Sequence, residues 1–151
     1  MKINELSRRL IFAVCISTIL TQPAFSQSNI PIVSIRHIST AYANQGICSL
    51  RFGLGTAMGD GDAGEVSLKL KFIDTNGHEL YQGEIRTSLD DSEAGRYQEV
   101  FLEDSNVCFD QPTRIQVTRA TATIGKKRYN LLRLRKLVVD DFKPLEISIP
   151  K

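Results

Sequence analysis

The chain has no tryptophan, two histidines and three cysteines among its 151 residues. This shortage limits catalysis, because a hydrolase with a serine or cysteine nucleophile places a histidine base beside it. Neither a nucleophile elbow nor a cysteine–histidine signature surrounds His37 or His78. The sequence therefore predicts a protein that is not an enzyme and needs no cofactor.

A long hydrophobic run is also lacking. The longest mainly apolar stretch, Leu10–Leu20, has 11 residues, whereas a membrane-spanning helix needs roughly 20. It follows three basic residues and precedes small residues at positions 24 and 26. This order is typical of a secretory signal peptide. We predict a cleaved leader over residues 1–26, a domain over residues 27–151 and no membrane span. The product would be secreted, with a periplasmic location as the alternative.

Excess charge of one sign is absent once the leader is set aside. The whole chain has 19 basic and 17 acidic residues, of which residues 1–26 hold three basic and one acidic, so the remainder carries 16 of each. A formally neutral domain has no global attraction to nucleic acid or to an anionic membrane. We expect neither as a partner.

Two cysteines, Cys48 and Cys108, remain outside the leader. Disulfides form and persist in the oxidising compartments that exported proteins reach. We therefore predict that these two residues are bonded. In the chain-entropy model, a bond that closes a loop of this length stabilises the fold by about 4 kcal/mol.

Apolar and polar residues alternate with period 2 through the domain, which predicts half-buried antiparallel strands. Asn76-Gly77 between two such segments is a strong hairpin signal. The predicted strands cover residues 32–38, 45–54, 65–73, 80–88, 96–103, 114–124, 129–139 and 145–149. Short strands at regular spacing indicate an all-β fold: a fibronectin type III- or immunoglobulin-like β-sandwich of about seven to eight antiparallel strands.

The alternation also assigns side chains to faces. The inner faces of two strands are predicted to carry Cys48, Leu50, Phe52, Leu54, Val66, Leu68, Leu70 and Phe72. In a later strand, Tyr97, Glu99 and Phe101 fall on the side opposite Val100 and Leu102. We expect His37 to be half exposed in the first strand and His78 to be solvated after its turn.

The basic segment 129–139 is ambiguous. We favour a strand because its end is β-branched, but Leu131, Leu134, Leu137 and Val138 would also form the apolar stripe of a helix. Exposed arginine near tyrosine suits a protein interface, which makes Tyr129, Arg133, Arg135 and Lys136 candidate protein-binding residues. The alternative is a charged edge strand that discourages sheet-to-sheet association.

A glycine-rich loop at residues 59–65 carries three carboxylates, those of Asp60, Asp62 and Glu65. Oxygen ligands suit calcium, but Gly64 occupies the third acidic position of the EF-hand pattern. We favour a solvated connection and predict no metal site. Zinc is also disfavoured, because the cysteines are committed to each other and the histidines are far apart.

From end to end the chain resembles the interleukin receptor mimic protein A family, small secreted proteins of uropathogenic bacteria. The leader, the GICSLRFGLG and VSLKLKF segments and the Cys48–Cys108 pair carry the resemblance. It implies a fibronectin type III-like sandwich, a strand-swapped homodimer and binding to host cytokines such as interleukins 2, 4 and 10. No cytokine-contacting residue follows from it.

The chain departs from wider sandwich families in two respects. It lacks the core tryptophan, and Asn106 stands where a tyrosine corner would place tyrosine, two residues before Cys108. Polar residues just before Cys108 suggest a loop, which leaves open whether the disulfide joins the two sheets.

The leading hypothesis is an exported, non-enzymatic sandwich that binds another protein. Two alternatives remain at this point: a structural or accessory subunit of a surface organelle, and a periplasmic enzyme inhibitor. If strands are exchanged within a dimer, residues 55–64 and 90–95 are the connections most able to extend.

Overall fold

A computed structural model describes residues 30–57, 60–110, 113–140 and 145–149. The predicted leader lies outside the described residues. The strands are β1 (Val33–Tyr42), β2 (Cys48–Thr56), β3 (Gly64–Ile73), β4 (Glu79–Leu89), β5 (Tyr97–Asp104), β6 (Arg114–Ile124), β7 (Lys127–Asn130), β8 (Leu137–Val139) and β9 (Ile147–Ser148). In this part of the chain, no helix has the length and apolar character to cross a bilayer.

The strands form two sheets. The first has the order β5-β2-β1-β8, and the second has the order β4-β3-β6-β7, with β9 also paired to β6. This arrangement confirms the predicted all-β sandwich. The prediction that all strands run antiparallel is wrong for the last two, since β8 is parallel to β1 and β9 is parallel to β6. Both are short strands, and they follow the other seven in chain order.

One core lies between the sheets, and it is built by the alternation that the sequence displays. Every predicted inner residue of β2 and β3 is buried, while their neighbours Ser49, Ser67 and Lys69 face outward. β6 contributes Ile115, Val117, Ala120 and Ala122 to the same core. Burying such side chains is the main favourable term in folding, at roughly 25 cal/mol per Å² of apolar surface.

The predicted hairpin between β3 and β4 is present. Asp74 closes its turn, since its Oδ1 accepts hydrogen bonds from the backbone amides of Asn76 and His78, both at 2.8 Å. Gly77 has a φ of 88°, a left-handed conformation that glycine adopts at little cost. Burial alone would raise the pKa of Asp74, but hydrogen bonds from His78 and Asn76 outweigh burial and lower it.

Segment 129–139 is neither one strand nor a helix. β7 ends at Asn130 in the second sheet, a turn follows, and β8 begins at Leu137 in the first sheet. The side-chain oxygen of Asn130 accepts a hydrogen bond from the Arg133 amide, and Arg135 has a left-handed φ of 54°. Leu131 and Leu137 are both buried, so the segment crosses between the sheets with one apolar anchor at each end.

His37 is fully buried, contrary to the expected half exposure. It follows Val33 and Ile35 on the inner face of β1 and packs edge-on against Phe52, with ring centroids 5.6 Å apart. Its Nε2 lies 3.1 Å from the hydroxyl of Thr40. Burial lowers the pKa of His37, and the Ser39 backbone opposes this shift only in part.

Cys48 and Cys108 form the predicted disulfide. Cys48 begins β2, whereas Cys108 follows a 3-10 turn at Ser105–Val107 on the connection from β5 to β6. The loop position expected for Cys108 is therefore correct. The bond ties the first sheet to the connection that leads into the second sheet.

Candidate protein-binding face

The structure separates the four binding residues predicted from sequence. Tyr129 lies on β7 and Arg133 in the turn after it, and both line a shallow groove together with Arg128 and Leu134. Arg135 and Lys136 do not line this groove. Arg133 and Arg135 both lie in the turn, so the strand predicted through them is wrong at these positions.

Lys136 instead has a structural position. Its backbone oxygen accepts a hydrogen bond from the Val33 amide at 2.8 Å, and its own amide donates to Leu131 at 2.8 Å. These bonds hold the start of β8 beside β1. The predicted patch thus reduces to a half-buried Tyr129 and an exposed Arg133.

A better-formed candidate is the outer side of the first sheet, here called the aromatic face. Strands β1, β2 and β5 lie side by side there, with Arg36 opposite Gly53, and Gly53 opposite Glu99. The face is formed by Arg36, Arg51, Gly53, Tyr97, Glu99 and Phe101. Arginine, tyrosine and phenylalanine, which this face combines, are residue types enriched at protein interfaces.

The Tyr97 ring lies flat across β2 because Gly53 has no side chain. A Cβ atom at Gly53 would stand 2.3 Å from the Tyr97 hydroxyl oxygen and 2.9 Å from two ring carbons. The next outward position, Gly55, is also a glycine and would bring a Cβ within 3.4 Å of the same ring. Two glycines therefore create the floor on which the tyrosine rests.

Arg36 fixes the ring from the other side. Its Nη2 donates a 2.9 Å hydrogen bond to the Tyr97 hydroxyl, and its guanidinium carbon lies 5.1 Å from the ring centroid. The hydrogen bond to Tyr97 is the main cause that raises the pKa of Arg36, with Asp140 and Glu99 adding to it. A ring held between glycine and arginine loses little rotamer entropy when a partner binds.

Phe101 and an ion pair complete the aromatic face. Phe101 is 56% exposed and Tyr97 is 38% exposed, so both rings present apolar surface to a partner. Beside them Arg51 pairs with Glu99 at 3.3 Å. The face carries two arginines and one glutamate, and Asp140 adds a second negative charge that acts on Arg36, so little excess charge remains. A surface with little excess charge suits recognition of a protein more than of a polyanion.

The outer side of the second sheet, here called the charged face, differs in chemistry. Glu84 Oε1 accepts hydrogen bonds from Ser67 Oγ at 2.5 Å and from Arg86 Nε at 3.0 Å. Arg86 is the main cause that lowers the pKa of Glu84 to about 2, followed by Ser67. This network lies in a groove whose lining contains no aromatic residue.

The sequence contained one signal for the aromatic face. Alternation places Tyr97 and Phe101 on the outer side of β5, but it does not show which strand lies beside β5. The contact between Tyr97 and Gly53 joins residues 44 positions apart, and it exists only because β2 and β5 pair. Arg36 comes from a third strand.

Neither the histidines nor the acidic loop forms a second candidate site. His37 is buried, and His78 Nδ1 lies 3.2 Å from Asp74 in the hairpin turn. Asp62 accepts a hydrogen bond from the Asp91 amide at 2.9 Å, so it ties two loops together. Among the described residues, no cluster of three or more histidine, cysteine or acidic side chains could hold a metal ion.

Comparison with known proteins agrees with this architecture. The solved structure of IrmA from Escherichia coli matches with a TM-score of 0.61 and 28% sequence identity, over 78% of this chain and 98% of that chain. No curated protein matches by sequence. The family model for IrmA, interleukin receptor mimic protein A, matches residues 33–139, from the start of β1 to the end of β8. The chain belongs to the interleukin receptor mimic protein A family.

Proposed function

We propose that this protein is an exported, non-enzymatic receptor mimic that binds a host cytokine through the aromatic face. The observation that carries the proposal is the Tyr97 ring, which lies over Gly53 and accepts a hydrogen bond from Arg36 beside the exposed Phe101. The family name supplies the class of partner. The surface supplies a means of binding that needs no bound group or chemical step.

The energetics of interfaces favour this face over the β7 turn. Binding energy concentrates in a few aromatic and arginine residues that are rigid before the partner arrives. Tyr97 and Arg36 meet that requirement through their hydrogen bond and ring contact. Arg133, in contrast, lies exposed in a turn.

The resemblance to the family implies interleukins 2, 4 and 10 as the cytokines to test. The proposal also requires export, with the leader removed after Ser26. Mass spectrometry of the protein recovered outside the cytoplasm should therefore give a mature chain that begins at Gln27 and contains a disulfide.

Surface plasmon resonance against a cytokine panel tests both the function and the face. Wild type should bind at least one of the three interleukins saturably. Tyr97→Ala with Phe101→Ala should weaken that binding by about tenfold or more, the loss expected when hot-spot residues are truncated. Tyr129→Ala with Arg133→Ala is the matched control, since it removes one aromatic and one neighbouring side chain from the β7 groove.

The outcomes separate the two parts of the proposal. No saturable binding of any cytokine by wild type would contradict the function. If Tyr129→Ala with Arg133→Ala abolishes binding while Tyr97→Ala with Phe101→Ala leaves it intact, the assignment to the aromatic face is contradicted. Circular dichroism of both variants, compared with wild type, distinguishes a loss of binding from a loss of folding.

We further propose a homodimer, with strand exchange as one route to it. The connection at residues 90–95 is a compact turn, closed by hydrogen bonds from Asp90 to Gly95 and from Arg96 to Ser92, both at 3.1 Å. These bonds must break if the connection is to extend. Light scattering coupled to size-exclusion chromatography should give twice the monomer mass, and a single monomer peak would contradict the dimer.

A further inference from the structure

The charged face contains more cationic than anionic side chains. Its groove, of about 180 Å³, is lined by four cationic and two anionic side chains, with serine and threonine between them. Glu84 is engaged by Arg86 and Ser67. Lys69 lies opposite Glu84 across the β3–β4 pair and shares that carboxylate with Arg86. Arg119 and Arg128 also line the groove, and Glu65 is the one other carboxylate in its lining.

None of these three cations has an ion-pair partner within 4.0 Å among the described residues. Lys69 on β3 and Arg119 on β6 are direct cross-strand partners, and like charges in that relation destabilise a sheet. Arg128 continues this row of cations, here called the cationic border, onto β7, where it lies opposite Thr123 of β6. An anion bound between the strands would convert this repulsion into attraction.

The cationic border continues beyond the groove. Arg128 also lines the neighbouring shallow groove, which brings in Arg133. Lys126 is exposed in the adjoining turn between β6 and β7, and Lys127 is exposed at the start of β7. A band of positive charge thus crosses one side of a domain whose net charge is close to zero, so it reflects segregation of charge and not a basic composition.

We propose that this groove binds a sulfated polysaccharide chain. Arginine and lysine bind oxyanions through short, charge-assisted hydrogen bonds, and the hydroxyls of Ser67 and Thr121 can serve sugar hydroxyls or sulfate oxygens. The lining has no apolar side chain to receive an acyl chain. It also has no aromatic ring on which a nucleic acid base could stack.

Surface plasmon resonance on immobilised heparin tests this site, with unsulfated hyaluronan and vesicles of equal parts phosphatidylcholine and phosphatidylserine as comparisons. Wild type should bind heparin, with an affinity that falls steeply as sodium chloride screens the charges. The combined variant Lys69→Gln, Arg119→Gln and Arg128→Gln should lose about tenfold or more of this affinity. If the combined variant folds poorly, Arg119→Gln alone should still show a smaller loss of heparin affinity.

The control variant removes equal charge elsewhere: Arg51→Gln, Arg96→Gln and Arg114→Gln. It should bind heparin within about twofold of wild type, since its cations lie outside the groove. Equal losses in the two variants, no heparin binding by wild type, or stronger binding to hyaluronan or to the vesicles would each overturn the proposal. Cytokine affinity of the groove variant should be unchanged, because the aromatic face lies on the other sheet.

Discussion

The two sheets share one core, yet their outer faces are built by different means. On the first sheet, glycines at positions 53 and 55 leave space that Tyr97 fills, and Arg36 holds the ring in place. On the second sheet, longer polar side chains such as Lys69 and Glu84 stand out from the strands and meet through charge. An aromatic surface with little excess charge and a polar, cationic groove therefore lie on opposite outer faces of the sandwich.

This difference shows how one sandwich can offer two kinds of recognition. Alternation requires only that the inner residues be apolar, and it leaves the outer positions free to vary. The first sheet also holds the less ordinary features of the fold, the buried His37 and the half-cystine Cys48. Loss of either of these features should consequently have a larger effect than loss of an outer ion pair on either sheet.

The largest expected effect is loss of the disulfide, which anchors the first sheet. Cys48→Ala with Cys108→Ala should lower the free energy of unfolding by about 4 kcal/mol, because the unfolded chain regains the freedom of a long loop. Urea denaturation measures this. Wild type reduced with dithiothreitol should match the variant, and a loss below about 1 kcal/mol would mean that the two sheets hold together without the bond.

The second effect concerns the floor of the aromatic face. Gly53→Ala should displace the Tyr97 ring and weaken cytokine binding by about 2 kcal/mol, since the new Cβ would overlap the ring. Ser67→Ala, at an outward position of the second sheet, is the matched control and should leave binding unchanged. Isothermal titration calorimetry measures the cytokine affinity of each variant. Equal affinities of Gly53→Ala and wild type would contradict a contact between Tyr97 and the cytokine.

The third effect is a pH dependence from the inner side of the first sheet. Burial lowers the pKa of His37, so the folded state binds its proton less readily than the unfolded state. Stability should therefore decline as the pH falls below the ordinary histidine value of 6.5, by at most about 1.4 kcal/mol from this residue between pH 7.5 and 5.5.

Urea denaturation at those two pH values measures the decline. His37→Phe should be less sensitive to pH than wild type, because it keeps the packing against Phe52 and loses the titration. Both proteins should carry His78→Gln, so that only one histidine differs between them. An identical pH response in the two proteins would contradict the role assigned to His37.

The smallest effect belongs to the charged face. Glu84→Gln should cost at most about 1 kcal/mol at pH 7, since the pair with Arg86 is partly exposed and screened by water. The contribution of Glu84 is fully present above its unfolded pKa of 4.5 and is lost as the pH falls toward about 2.

Melting temperatures across this pH range should therefore converge for Glu84→Gln and wild type in acid. Glu99→Gln is the comparison on the first sheet, where the carboxylate has one 3.3 Å contact with Arg51. It should cost less than Glu84→Gln. A larger cost for Glu99 would reverse the expected order of the two outer ion pairs.

The sequence predicts most of the main strands because alternation is a local property. Leu50 and Phe52, or Leu68 and Leu70, point inward wherever their strand lies in a sheet. His37 continues the inward series of Val33 and Ile35, so its burial was accessible from the same pattern. It was missed because histidine is intermediate in its tendency to be buried, so the residue type does not decide between a buried and an exposed position.

Features that depend on pairing could not be predicted in this way. The crossing at residues 131–136 requires Leu131 to join the core beside β6 of the second sheet and Leu137 to join it beside β1 of the first sheet. The parallel contacts of β8 and β9 likewise leave no mark in their short sequences. The aromatic face joins β1, β2 and β5, so its Tyr97–Gly53 contact follows from topology and not from any local motif.

The central claim is that the aromatic face buries its side chains against a cytokine. Hydroxyl-radical footprinting with mass spectrometry measures the accessibility of individual side chains in the free and bound protein. We predict that oxidation of Tyr97 and Phe101 falls on complex formation while that of Tyr129 and Tyr42 is unchanged. Protection of Tyr129, with Tyr97 and Phe101 as reactive as in the free protein, would contradict the claim.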